Sequence, residues 1–554
     1  MDYLRKLLPG STPQTERLLG RDQVPNSEGG FVFAVDDWTR LRRFLILGSE
    51  GGSFYAGERE LSRENAEAVE RCIAADGARA VEEIASISEA GRAPRNDPAI
   101  FALAMAAGAQ DEATRRAALE ALPRVARTAP HLFAFATFVE GFRGWGRGLR
   151  RAVARWYVDQ PADRLAYQAV KYRQRDGMSH RDLLRLAHPG REVSARNPAS
   201  EVSAEQEALF AWIAQGERAD ALAAIVGGFE AARASESPRR TAQLVAEHRL
   251  PREAVRPEHL TAPEVWAALL EDMPIAALIR NLATMTRVGL LAPSSDAATR
   301  VVDRLGDAER LRAARVHPMA LLIALRTYAA GRGVRGSGTW APVTAVVDAL
   351  DAAFYTAFDA VQCSGARHLI ALDVSGSMMG GSVGGAPGLS PRDASAAMAL
   401  VTLATEPSTE VVGFFAGQRG WSTGSAGRFG SHDGLTPLAL SARQRLDDAI
   451  DTVSRLPFGG TDCALPMLYA LDQRRDVDVF VVYTDSETWA GDVHPAQALR
   501  RYREQSGIPA RLVVVGMVSN GFSIADPADA GMLDVVGFDA AAPALLADFA
   551  RGEL

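Results

Sequence analysis

The sequence predicts a multidomain protein: an all-α array of stacked helices over residues 1–360, then an α/β domain over residues 361–554. Three observations carry that division. From Ser62 to about Tyr355, apolar residues recur at three- and four-residue spacing between breaks at Pro98, Pro123, Pro130, Pro161, Pro189, Pro251, Pro274 and Pro318. After Gln362 short apolar runs alternate with helical patterns, the mark of a parallel sheet covered by helices. A chain of 554 residues also exceeds what one hydrophobic core usually supports.

Residues 21–57 open with glycine-punctuated turns, Gln23 to Gly30 and Gly48 to Ser53, around an arginine-rich apolar run from Leu41 to Leu47. These glycines are not a phosphate cradle. The lysines of the chain are Lys6 and Lys171, and neither lies in a Gly-Lys-Ser or Gly-Lys-Thr sequence, so nucleotide hydrolysis at a P-loop is excluded. Strand signals are nearly absent from the helical stretch. Many short amphipathic helices over roughly 300 residues argue for a helical-repeat array, although no clean fixed period marks it. The exposed loops are expected at Ala195 to Ala204 and Ala231 to Arg240, which are rich in Ser, Pro, Arg and Glu. In the α/β part, strands are expected at 368–373, 410–415, 477–484, 511–517 and 533–537. Helices are expected at 391–405, 441–455, 462–473, 494–505 and 541–551.

Composition bounds the class. Apolar and charged fractions of 47% and 23% are those of an ordinary soluble protein. Met1 to Leu8 lacks the apolar core of a signal peptide, and no stretch approaches the ~20 apolar residues of a membrane span, so a cytoplasmic protein is expected. Three widely spaced cysteines, Cys72, Cys363 and Cys463, fit a reducing compartment and offer neither a disulfide frame nor a zinc site. The net charge of −7 is unevenly distributed. Residues 361–554 hold 14 Arg and 22 Asp plus Glu, whereas residues 1–360 hold 47 basic and 46 acidic residues. Within the latter, Asp111 to Arg196 has 17 basic and 9 acidic residues, a net of +8. Such a local positive surface is what phosphate backbones select.

The run Leu369-Ile370-Ala371-Leu372 reads as a buried central strand that delivers Asp373, Ser375 and Ser377 at its end, where open α/β sheets bind ligands. Thr461, in Gly459-Gly460-Thr461-Asp462, and Asp485, after the apolar run 479–483, can complete the cluster. All are hard oxygen donors, suited to Mg²⁺ or Mn²⁺ rather than zinc. Hydroxyls are neutral ligands, so the ion would keep charge to spare and an open position for a carboxylate or phosphate. The alternative is a turn whose Asp and Ser cap a helix. The spacing resembles the metal-ion-dependent adhesion site of von Willebrand factor A domains. That resemblance implies Ser375, Ser377 and Thr461 as direct ligands, with Asp373 and Asp485 holding the ion through waters or standing behind the direct ligands as their partners. No paired carboxylates and no histidine adjoin the cluster as a hydrolase would need; Glu487 and His494 read as structural. A docking site rather than a reaction centre is expected.

In the basic segment, Arg143, Arg147, Arg150, Arg151 and Arg155 recur at three- and four-residue spacing and would form one helix face from about Arg147 onward. Lys171 and Arg175 are four apart. Ser179 reads as an N-cap with Asp182 at the third helical position, and Arg181, Arg185 and His188 follow at i, i+4 and i+7. These faces could track a phosphate backbone with arginine forks. Trp145 and Tyr172 could stack on bases, but each is expected in the core.

The chain resembles the Ro autoantigen family and its bacterial orthologues, a TROVE module closed by a von Willebrand factor A domain. The resemblance runs through Arg42 to Gly52, Trp145-Gly146-Arg147 onward, Lys171 to His188, Met273 to Leu282 and most of Gly459 to Asp539, notably Ser519 to Pro527. It implies a HEAT-like helical ring followed by a Rossmann-like domain, and an RNA-binding protein that is not an enzyme. Y RNA would bind the outer basic surface, and single-stranded 3′ ends of misfolded RNAs would enter the central hole. An exoribonuclease such as polynucleotide phosphorylase is the implied protein partner, and an acidic protein group could meet the metal. The family's Y RNA contacts carry over to Lys171, Arg175 and His188. Arginine at most basic positions, such as Arg173 and Arg181, departs from the family pattern and implies changed geometry with charge kept.

Overall fold

The computed structural model describes residues 11–553 apart from 50–52, 54, 57, 176, 190–201, 334–337, 359–361, 382, 384–388, 417–433, 443 and 458. The chain forms two compact units. The first combines the described residues through Ala68 with Arg92–Pro94 and Phe358 onward, and the second comprises Val69–Gly91 and Arg95–Ala357. These units do not coincide with a cut at residue 360, because the N-terminal segment packs with the α/β sequence.

The first unit opens with β1 (Gln23–Pro25), β2 (Phe31–Ala34) and α1 (Asp37–Leu47), which starts where Asp36 accepts a hydrogen bond from the Thr39 amide. Helix α2 (Glu58–Ala75) leads into the second unit. There follow α3 (Gly77–Ala90), α4 (Asp97–Gly108), α5 (Glu112–Val125), α6 (Ala129–Phe142), α7 (Arg147–Val158) and α8 (Ala162–Lys171). A short hairpin, β3 (Gln174–Arg175) and β4 (Met178–Ser179), precedes α9 (His180–Ala187) and α10 (Ala204–Gln215). The helical unit continues through α11 (Ala224–Ala234), α12 (Pro238–His248), α13 (Pro263–Asp272), α14 (Ile275–Arg287), α15 (Asp296–Gly306), α16 (Ala308–Ala313), α17 (Pro318–Ala329) and α18 (Thr344–Thr356).

Helices here pack mainly on near neighbours in sequence, as α3 does on α4 and α5, and α12 on α13, which is the pattern of stacked repeats. Gly77 permits the closest of these approaches: a Cβ there would sit 1.9 Å from Thr114 Oγ1 on α5. Two expectations need correction. The loop expected at Ala231 to Arg240 shrinks to 235–237, because α11 continues through Ala234 and Ser237 caps α12. Most of the loop expected at Ala195 to Ala204 lies outside the described residues, and Ala204 begins α10.

The α/β sheet follows the expected alternation. It consists of β5 (His368–Asp373), β6 (Thr409–Phe414), β7 (Leu435–Pro437), β8 (Val479–Thr484), β9 (Arg511–Gly516) and β11 (Met532–Val536), in the order β11-β9-β8-β5-β6-β7. All neighbours are parallel except β7, a short antiparallel edge that the sequence did not announce. Helices α19 (Pro391–Thr405), α20 (Leu446–Ser454), α21 (Leu465–Asp472), α22 (Pro495–Ser506) and α23 (Ala542–Arg551) alternate with the strands. Every residue of β5 and β8 is buried, as expected of strands covered on both faces. From β5 the chain passes first to β6 on one side and later to β8 on the other, so the carboxyl end of β5 lies at the topological switch point.

A second sheet, β1-β2-β10 with β10 at Phe522–Ser523, ties the N-terminus to this unit. Arg43 on α1 secures it. The side chain is fully buried; its Nη2 donates to both carboxylate oxygens of Asp534 at 2.7 and 2.8 Å, and its Nη1 donates to Asn520 Oδ1 at 2.8 Å and the Phe522 carbonyl at 2.8 Å. Removing one partner of such a pair strands a charge away from water. Asp534→Ala is therefore expected to destabilise this unit by about 3–5 kcal/mol, read from chemical denaturation; an unchanged midpoint would contradict that role for Arg43.

Candidate functional site

The end of β5 gathers most of the expected oxygen cluster. Asp373 is fully buried; its Oδ1 accepts from the Ser375 amide at 2.9 Å and its Oδ2 from Thr484 Oγ1 at 2.6 Å. Ser375 and Ser377 are both buried, with their hydroxyls 3.1 Å apart, and Ser377 also hydrogen-bonds Asp485. Thr461 is buried on the adjoining loop, which is held to the Asp373 loop by the Gly376 amide on the Gly459 carbonyl at 3.3 Å. Among the described residues, no hydrogen bond joins the Thr461 hydroxyl to the other four. Burial pushes the Asp485 carboxyl up to about 8, with the neighbouring Asp373 charge adding to it. Burial raises Asp373 as well, against the hydrogen bonds from Ser375 and Thr484. Two enclosed carboxylates with hydroxyls around them form a donor set that fits a hard divalent cation.

The N-terminal segment braces this loop, a role that no local motif announced. Glu487 accepts from the Ser27 amide and hydroxyl, each at 2.8 Å, and Asn26 Nδ2 donates to the Thr488 carbonyl at 2.7 Å. Tyr55 hydrogen-bonds both Glu28 and Ser377, and burial pushes its phenol well above the usual range. His494 Nε2 meets the Glu16 carbonyl at 2.8 Å. Glu487 and His494 are thus both held by the N-terminal segment.

The basic segment builds a second site. Helix α7 buries Leu149, Val153, Ala154, Trp156 and Tyr157, which turns Arg147 and Arg155 to solvent and leaves Arg150 and Arg151 half-buried. Arg155 is 3.7 Å from Asp159, and the Arg150 Nε is enclosed without a hydrogen-bond partner. Arg143 lies just beyond α6, outside the α7 face. Helix α8 ends at Lys171, whose Nζ lies 3.4 Å from Tyr167 Oη and 5.3 and 5.2 Å from the ring centres of Tyr167 and Tyr172. Tyr172 is half-buried beside that ammonium rather than in the core, and Trp145 is likewise only half-buried.

The β3–β4 hairpin pairs Arg175 with Met178, and Gly177 at φ +82° closes its turn. Ser179 then starts α9 with the expected capping box: Asp182 Oδ2 accepts from the Ser179 amide at 3.0 Å, and Ser179 Oγ accepts from the Asp182 amide at 3.3 Å. The box sets the phase of α9, so that His180, Leu183, Leu184 and Ala187 face inward and Arg181 and Arg185 outward. One detail differs from expectation. The helix stops at Ala187, and His188 caps it in the left-handed conformation at φ 47° instead of continuing the face by one more turn; it is nevertheless exposed. Among the described residues no carboxylate pairs with Arg147, Arg151, Arg181 or Arg185.

Beside Lys171 opens a cavity of about 400 Å³ whose far wall comes from α13 and α14, including Arg280 and Asn281. The run Met273 to Leu282 carried the family resemblance, yet its local pattern is that of any amphipathic helix and assigned these residues no role. Among the described residues, no helix is long and apolar enough to cross a membrane.

A helical repeat unit bearing a basic face, with an adhesion-type α/β domain, defines a TROVE and von Willebrand factor A class of protein. Residues 24–224 and 247–327 match the TROVE domain family, and residues 367–550 match the Ro60 vWA domain family. The chain is 44% identical over 555 residues to the RNA-binding protein RO60 of Deinococcus radiodurans, covering 100% of both chains. It is 35% identical to the RNA-binding protein RO60 of Caenorhabditis elegans, covering 96% of this chain and 90% of that one. The crystal structure of the Deinococcus radiodurans RO (RSR) protein superposes with a TM-score of 0.68 at 43% identity, covering 94% of this chain and 100% of that chain. The chain belongs to the Ro family.

His180 gives the basic segment a pH limit. It is buried, its Nδ1 is 2.8 Å from Tyr157 Oη, and burial lowers its pKa to about 4. The fold holds the ring neutral while the unfolded chain takes up a proton below about 6.5. Its contribution is therefore complete above that pH and falls by about 1.4 kcal/mol per pH unit down to about 4. Urea unfolding between pH 6.5 and 4.5 is expected to weaken more steeply for the unsubstituted protein than for His180→Gln; equal slopes would contradict it.

Proposed function

We propose that this chain is an RNA-binding scaffold whose basic surface, formed by Arg147, Arg150, Arg151, Lys171, Arg175, Arg181, Arg185 and His188, engages the phosphate backbone of a Y RNA. The observation that carries the reading is the exposure of Arg175, Arg181, Arg185 and His188 beside the half-buried Lys171, on consecutive elements α8, the β3–β4 hairpin and α9. Arg147, Arg151, Arg181 and Arg185, which pair with no carboxylate among the described residues, are available for phosphate. By its family resemblance, the chain accepts single-stranded 3′ ends of misfolded RNAs in the opening of its helical module. It then serves small-RNA stability, RNA quality control or decay linked to an exoribonuclease such as polynucleotide phosphorylase. Binding and positioning of RNA, without catalysis, is the activity assigned, and the cytoplasm is its proposed place.

The α/β unit supports a second, accessory reading as a metal-dependent docking module. Ser375, Ser377 and Thr461 would hold Mg²⁺ or Mn²⁺, with Asp373 and Asp485 behind them, and the bound ion would supply an electrophilic position for an acidic protein group. Two enclosed carboxylates with raised pKa favour this reading, since a divalent cation relieves their repulsion.

Lys171→Ala with Arg175→Ala is expected to weaken Y-type RNA binding by about 10- to 100-fold and to lower the slope of log affinity against log salt by about 2. Filter binding across a salt series measures both, and unchanged affinity would overturn the assigned surface. Mg²⁺ is expected to raise the melting temperature of the unsubstituted protein but not that of Ser375→Ala with Asp485→Asn. Equal response of the two proteins to Mg²⁺ and EDTA would remove the metal assignment.

A further inference from the structure

We propose that the cavity beside Lys171 is a pocket for one unpaired ribonucleotide, with the base enclosed and the phosphate held at the rim. The proposal rests on the reading of the chain as an RNA binder and names what one part of that surface recognises. The cavity, about 400 Å³, is at the small end of the range that encloses compact organic ligands. Its lining combines apolar, aromatic, amide and charged side chains.

Leu250, Pro251, Leu269 and Met273 are buried and give part of the lining an apolar surface, on which a solvated phosphate or a bare cation gains nothing. Tyr167 and Tyr172 contribute half-buried rings, surfaces on which a heterocycle stacks. Asn281 adds an amide to this lining. Asn281 is only 8% exposed; its Nδ2 donates to the Ala277 carbonyl at 2.7 Å, and its Oδ1 accepts only a long contact of 3.4 Å from Arg252. One amide N–H and most of the oxygen's capacity are therefore left inside the pocket. A donor beside an acceptor on one planar amide matches the edge of an adenine.

The charged part of the lining is mostly cationic: Lys171, Arg175, Arg249, Arg252 and Arg280 stand with Glu253 and Asp272, and Arg249 lies 3.6 Å from Asp272. Arg280 is exposed with its Nε donating to the Ala276 carbonyl at 3.0 Å, and Arg252 makes a long contact to Asn281, so the Nη groups of Arg280 and the guanidinium of Arg252 can turn to a phosphate oxygen. An apolar surface, two aromatic rings, an amide with donor and acceptor to spare, and an excess of cations together describe a nucleotide rather than a lipid, a sugar or an acidic peptide.

The nucleotide could be an unpaired residue of a bound RNA or a free one, and both present the same chemistry. The experiment uses the full chain and two RNA hairpins that differ by one unpaired adenosine, with adenosine monophosphate as a separate probe. Variants Ala277→Phe, which fills the pocket, and Asn281→Leu, which removes its polar group, are compared with the unsubstituted protein. The expected result is at least about fivefold tighter binding of the hairpin with the unpaired adenosine, lost in both variants. Unchanged binding of the fully paired hairpin shows that the variants remain folded. Binding of adenosine monophosphate that both variants abolish, without any preference between hairpins, assigns the pocket to a free nucleotide. Equal hairpin affinities with no binding of adenosine monophosphate overturn the proposal, as does a preference that survives both substitutions. Failure of both hairpins to bind at all would instead defeat the RNA-binding reading, and adenosine monophosphate alone would then decide the pocket.

Discussion

The buried ion pair between Arg43 and Asp534 expresses the constraint on which much of this structure depends: a charge taken out of water must meet its partner inside the fold. Without Asp534, the guanidinium of an arginine on α1 would lie buried with no countercharge, and the N-terminal segment would lose one of its polar anchors on the α/β sequence. The same rule recurs nearby. Arg92 pairs with the buried Asp539, and Arg392 spends its guanidinium on the carbonyls of Val453 and Leu456, each at 2.6 Å from its Nη2. In each case the guanidinium is spent on the protein's own oxygens, so these cations contribute to architecture and not to an external field.

The helical unit reverses that arrangement along α7, α8, the β3–β4 hairpin and α9. There the capping box of Ser179 and Asp182 uses one carboxylate locally, and Arg181 and Arg185 are left facing water. On α7 and α9 the apolar side of each helix decides which way the arginines point, and so brings part of the positive charge of this segment to the surface. Lys171 is the exception in degree. It is half-buried between two tyrosine rings, so its charge is positioned and partly desolvated rather than freely solvated, which sharpens its direction at the edge of the cavity.

Much of this was legible in the residues. The five parallel strands and their helices stand close to where the apolar runs placed them, because a strand buried on both faces leaves a continuous apolar record. The N-cap at Ser179 was legible for the same reason, being a local bond between residues three apart. What escaped reading depends on distant partners. Ser27 meets Glu487 and Tyr55 meets Ser377 from more than 300 positions away, and nothing around them signals a partner. The edge strand β7 and the hairpin at Gln174–Ser179 are too short to leave a period. Asn281 reads as one polar residue on an amphipathic helix, and only the cavity it shares with Lys171 gives it a further setting.

The central claim is that RNA is held by the basic surface of the helical unit and not by the acidic α/β unit. Ultraviolet crosslinking of bound RNA, followed by mass spectrometry of the crosslinked peptides, tests this most directly. The account predicts crosslinks concentrated between Arg143 and His188, with further sites between Leu250 and Asn281. Crosslinks confined to residues 361–554 would contradict it.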